Sequence, residues 1–148
     1  MLFYSKKTEY AVQIMVVIGK QDNGSDYVSL ETIRHTADVP KALSFKILNT
    51  LVKQGLLGST LGPKGGFRLA KPSSKIMLNE IIKPFEPEKV HESCALGLPQ
   101  CSEINKCSLH DQWKGLRQPL IDFLNSATLE NLVDQTDPKL IKEAFPLL

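Results

Sequence analysis

Apolar positions along the first half of the chain return every three or four residues, break, and return again. Tyr10, Ala11, Ile14, Met15 and Ile18 keep helical spacing until Gln21-Asp22-Asn23-Gly24 interrupts it. A second, shorter helix is predicted with Ser29 as its N-cap and Leu30, Ile33 and Ala37 on one face. Pro40 suits the first position of a third helix, in which Leu43, Ile47, Leu48 and Leu51 recur until Gly55 closes the pattern. Two short helices joined by a three- or four-residue turn make a helix-turn-helix, the second being the recognition helix. The period then changes. "LLGSTL" and "GFRLA" read as strands flanking Gly62-Pro63-Lys64-Gly65-Gly66, a hairpin tip made of turn residues. Residues 1–75 are thus predicted to form a winged helix: mainly α, with one small β-hairpin wing.

Helical spacing resumes at Leu78, Ile81 and Ile82 and stops at Pro84. A loop of weak periodicity follows, over about residues 91–110. Ser108 is placed to cap a long helix, about residues 108–127, with Leu109, Trp113, Leu116, Leu120, Phe123 and Leu124 on one stripe. Pro119 inside it predicts a kink, since an interior proline costs about 3 kcal/mol. Such a stripe, with little else to pack on it, reads as a subunit interface; the alternative is that it covers its own domain. A homodimer built on it would read a pseudo-palindromic operator in double-stranded DNA. Residues 76–148 therefore read as a second unit: loop, dimerisation helix and a C-terminal tail. A further helix start at Asp137-Pro138 has no assigned role.

Charge adds a partner. Residues 1–75 hold eleven basic against five acidic side chains, residues 76–148 seven against eleven. The winged-helix half is the basic half, as contact with a polyanion requires, although a solvated basic face has the same composition. On the recognition helix Lys41, Ala42, Ser44 and Phe45 stand nearest to base edges, with Phe45 read as core. Lys46 and Lys53 are placed for phosphates, Lys64 and Arg68 on the wing for phosphates or a minor groove. Ser29, at a helix N-terminus, is a phosphate anchor as well as a cap. No apolar run approaches the roughly 18 residues of a membrane span, and the N-terminus lacks a signal-peptide pattern. Together with an odd cysteine count, this predicts a reducing cytoplasm and no membrane partner.

The chain's three cysteines, Cys94, Cys101 and Cys107, fall within fourteen residues, and His110 follows three positions later. Their surroundings, "ESCALGLPQCSEINKCSLH", lack the apolar period of a core segment. Soft thiolate donors so grouped suit an iron–sulfur cluster, zinc or copper(I). Thiol redox chemistry without metal is the next reading. Zinc is less natural, because neither cysteine gap is the short knuckle spacing. Cys107 near His110 and Asp111 supplies nucleophile and base types, but no oxyanion site accompanies them, so no enzyme is expected.

These parts, in this order, resemble the dimeric winged-helix regulators typified by the iron–sulfur regulator IscR and the nitric-oxide sensor NsrR. The carriers are "TEYAVQIM", "ILNTLVKQGLL", "GPKGGFRLA", the cysteine loop, "CSLHDQW" and "FLNSATLENLV", the last two closer to the IscR type. The resemblance implies a DNA-binding transcriptional regulator that senses iron–sulfur, redox or nitric oxide status. It implies a cluster on Cys94, Cys101 and Cys107, of two-iron type, with a four-iron type as the alternative. His110 stands where the IscR type has its fourth ligand. Glu9 stands about where the NsrR type draws a carboxylate from the partner subunit, and His35 is a third option. Two departures are visible: a first cysteine gap of six residues where five is usual, and Leu61 where many relatives carry arginine.

Overall fold

A computed structural model describes residues 4–86, 93, 94, 96, 98 and 101–135. Helix α1 (Lys6–Gln21) starts at Ser5, whose hydroxyl accepts the Thr8 N–H, and α2 (Leu30–Ala37) starts at Ser29, which accepts the Thr32 N–H at 3.1 Å. Asp38 ends α2 in the left-handed region (φ 50°), which a short polar side chain tolerates. Pro40 is the N-cap of α3 (Lys41–Lys53), one position earlier than its predicted place inside the helix. Gly55, at φ 72°, ends α3 as predicted: its N–H donates to Val52 O and the Leu56 N–H to Leu51 O, so two terminal carbonyls are satisfied.

Strands β1 (Leu57–Thr60) and β2 (Gly66–Leu69) pair antiparallel, with Leu57 opposite Leu69 and Thr60 opposite Gly66. Phe67 also exchanges both backbone hydrogen bonds with Val28, at 2.8 and 2.9 Å. That contact explains Gly66: a Cβ there would lie 2.1 Å from Val28 O. The wing is thereby tied to the segment entering the helix-turn-helix.

Helix α4 (Leu78–Ile82) runs into a short turn through Pro84. Helix α5 (His110–Ser126) begins two residues later than its predicted cap: Leu109, not Ser108, is the N-cap, and the helix continues through Pro119. Helix α6 (Leu129–Gln135) then folds back onto α1. Its Leu129 is fully buried in the same core as Ala11, Ile14, Met15, Ile18, Ile33, Ile47, Leu48 and Leu51. Gly19 makes room for it, since a Cβ would meet Val133 Cγ2 at 2.6 Å. Leu78 N–H to Ala127 O and Leu129 N–H to Ile76 O, both 2.8 Å, clip the α5–α6 corner onto the start of α4. Among the described residues no helix is long and apolar enough to cross a membrane. The helix start predicted at Asp137-Pro138 and the first positions of the predicted cysteine loop lie outside the described residues.

Candidate nucleic-acid interface and cysteine loop

The inner side of α3 is set by Ile47, Leu48 and Leu51, all at most 1% exposed. Lys41, Ala42, Lys46 and Lys53 are exposed, as a surface meeting DNA requires. Two neighbours exchange their expected places. Ser44 is fully buried and its hydroxyl donates back to Lys41 O at 2.8 Å, so it is not available to a base edge. Burial costs it little, because the hydroxyl has found an acceptor. Phe45, read from sequence as core, is 53% exposed.

Ser29 is exposed, and its hydroxyl also pairs with Thr32 Oγ1 at 2.8 Å, so the cap and its neighbour share one polar corner. Lys64 is exposed on the hairpin turn. Arg68 is turned away from the wing tip. Its guanidinium lies 4.7 Å from the centre of the Tyr27 ring and donates to Ser25 O at 3.3 Å. It braces the wing's base rather than its tip, and a contact between residues 43 apart carries no local signal in the sequence. His35 is exposed on α2 and pairs with Glu31 at 2.7 Å. Glu9 is held by Lys6 at 2.9 Å, and a role as ligand would require it to leave that ammonium.

Two of the four candidate donors meet directly. Cys101 Sγ lies 3.4 Å from His110 Nδ1, and the His110 side chain is only 4% exposed. Cys107 is near enough to Cys94 to favour its thiolate form. The Cys94 thiol is pulled below its usual range, first by the Leu96 N–H at 3.4 Å; burial opposes this, and the Leu98 N–H and Cys107 add to it. N–H donors directed at sulfur stabilise thiolate, the form that binds metal. Among the described residues no three of the His, Cys, Asp and Glu side chains come together closely enough to hold a metal ion. The donors are matched in chemistry, and one thiol and the imidazole are brought together.

Around them runs a charge network that spacing alone did not reveal. His110 Nε2 is buried without an aligned hydrogen bond and faces Glu103 Oε1 at 3.3 Å. Glu103 also meets Lys106 at 3.2 Å and Lys114, while Lys106 reaches Asp111 at 2.9 Å. Lys114, His110 and Lys106, in that order, hold the Glu103 carboxyl down at about 2. Trp113 donates its indole N–H to Ser93 O at 2.9 Å, pinning the start of the loop to α5. Ahead of the loop in sequence, Glu86 accepts from the Ser5 N–H at 2.7 Å and from the Thr8 hydroxyl, at the N-terminus of α1. Pro84 and Phe85 share a cleft with Leu43, Lys46, Ile47 and Thr50, on the recognition helix.

The profile of the Rrf2 family, described as iron-dependent transcriptional regulators, matches residues 4–135. The chain is 30% identical to an HTH-type transcriptional regulator of Aquifex aeolicus, over 99% of both chains. It is 31% identical over 135 residues to the HTH-type transcriptional regulator IscR of Yersinia pestis, covering 90% of this chain and 80% of that one. Among solved structures it is similar to CymR, the global cysteine regulator of B. subtilis, with a TM-score of 0.76 and 28% identity over 93% of this chain and 100% of that one. It shares its fold with T. potens IscR, at a TM-score of 0.70 and 23% identity, over 91% and 88% of the two chains. These relatives are regulators and not enzymes, in agreement with the sequence expectation. A helix-turn-helix with a hairpin wing, matched over nearly its whole length, makes this chain a member of the Rrf2 family of winged-helix transcriptional regulators.

Proposed function

We propose that the chain is a homodimeric regulator that binds a pseudo-palindromic operator and senses iron–sulfur, redox or nitric oxide status. Its sensor is a cluster ligated by Cys94, Cys101, Cys107 and His110, with Glu9 of the partner subunit as the alternative fourth ligand. One observation carries this reading: a buried imidazole whose Nδ1 faces a thiol at 3.4 Å, with the other two thiols in the same loop. Three thiols and one imidazole are a donor set that iron–sulfur centres accept. When bound, such a cluster supplies iron and sulfide that oxidants and nitric oxide attack.

The chain's own residues divide the work. Residues 1–75 grip DNA: Lys41 and Ala42 at base edges, Lys46, Lys53, Lys64 and Ser29 at phosphates. Residues 76–148 hold the loop and join the protomers, for which α5 and its N-cap offer Leu116 and Phe123, at 68% and 55% exposure, and Leu109, at 40%. Glu86 and Phe85 carry a change in the loop to α1 and α3, on which they rest. Linkage of this kind is worth about 1–3 kcal/mol, enough to switch operator occupancy. A second reading, thiol switching without a cluster, has the depressed Cys94 thiol beside Cys107 in its favour.

Alanine variants of the candidate ligands test the assignment through iron retained per chain after anaerobic purification. Each cysteine variant is expected to lose the cluster, and His110→Ala to retain less iron than Glu9→Ala. The reverse ranking moves the fourth ligand to the partner's carboxylate, and a cysteine variant with full iron leaves the ligand set.

A further inference from the structure

Every residue from Tyr4 to Glu86 is described, and in that stretch the exposed large apolar side chains are Phe45, at 53%, and Leu61, at 99%. A lone apolar side chain in water is ordinary on a protein surface. These two are placed with a pattern: one stands on the second turn of α3, the other at the wing, the two elements directed at DNA.

The neighbours of Phe45 identify the partner. Lys41 and Ala42 precede it by four and three residues and Asn49 follows by four, so all share its side of the helix. Helix α3 carries Lys41, Lys46 and Lys53 and no carboxylate. A phenyl ring on the second turn of a cationic helix complements the major groove. Phosphates line that groove, and the apolar group on its floor is the thymine C5-methyl. Ser44 is turned inward, and Lys46 is suited to phosphate, which leaves Phe45 directed at the bases.

We propose that Phe45 is a specificity-determining residue that packs its ring on a thymine methyl, so that the regulator reads an A·T pair through apolar contact. This rests on the reading of α3 as the recognition helix. Leu61 is the comparator, because the minor groove approached by a wing presents no methyl group.

The full chain, used to select duplexes from a random pool, defines its own site. Each thymine is then replaced in turn by deoxyuridine, which deletes only the methyl. Wild-type protein is expected to bind at least one such duplex about fourfold more weakly, the worth of one buried methyl. Phe45→Ala should bind the thymine and uracil duplexes equally while melting at the wild-type temperature, since its ring is half exposed. Phe45→Leu should keep part of the discrimination and Leu61→Ala all of it. Equal wild-type affinity at every position, a selected site without thymine, or undiminished discrimination by Phe45→Ala would overturn the proposal. Selection of no duplex even at low salt would instead remove the DNA-interface reading from which it starts.

Discussion

In the winged helix, Ile14, Ile18, Ile33, Ile47, Leu48 and Leu51 are each at most 1% exposed, and polar side chains cap the ends of α1 and α2. Between Cys101 and His110 the picture inverts. Ile104 is 91% exposed, and the segment is held by Glu103, Lys106, Asp111, Lys114 and His110 in a surface charge network. Apolar packing gives one shape at large cost to any alternative, which suits a surface that must match DNA. Exposed ion pairs are individually weak and rearrange cheaply. A loop held by them can rearrange while the winged helix stays folded. Glu86 and Phe85, anchored in the packed region, mark where the two regimes meet.

The largest expected effect comes from breaking the packed side. Leu51→Ala should lose about 2–5 kcal/mol of stability in denaturant unfolding, whereas Ile104→Ala in the loop should stay within about 0.5 kcal/mol of wild type. Comparable losses at both would erase the contrast. Next comes Glu80, which accepts the Met77 N–H at 2.8 Å and pairs with Lys71 at 2.7 Å. Desolvation raises its pKa, but Lys71 and Met77 together hold it below its ordinary 4.5. Because the folded value is depressed, the carboxylate's contribution is full above about 4.5 and is lost as pH falls below it. With its side chain 40% exposed, Glu80→Gln should cost only about 0.5–1 kcal/mol at pH 7, a gap that closes in acid. A gap that widened in acid would reverse the sign. Smallest in stability is Lys46→Ala, which should melt like wild type yet reduce the slope of log affinity against log salt by about 0.9. An unchanged slope would remove Lys46 from the phosphate contacts.

Helix-turn-helix and wing were legible because their signals are local: Ser29 and Gly55 mark ends, and the change of period marks the hairpin. Side-chain direction within α3 was less so. A small hydroxyl can be buried once it bonds Lys41 O, and a phenyl can stay outside, so hydrophobicity alone misassigned Ser44 and Phe45. The return of α6 to α1 depends on Gly19 leaving space for Val133, a relation across more than a hundred residues. In the loop, residue types and spacing exposed the cysteines and His110. They did not reveal that Cys101 faces His110, nor that Glu103 backs the imidazole. Those relations follow from how the loop is anchored to α5 by Trp113 and the charge network, which no periodicity encodes.

The central claim is tested most directly by quantifying iron, acid-labile sulfide and zinc per chain in anaerobically purified protein, alongside its visible and EPR spectra. The account predicts a coloured protein with iron and matching sulfide, their ratio to protein distinguishing a two-iron from a four-iron centre. Colourless protein holding zinc alone, or no metal even after reconstitution with iron and sulfide, would contradict it and leave a winged-helix regulator whose cysteines serve another chemistry.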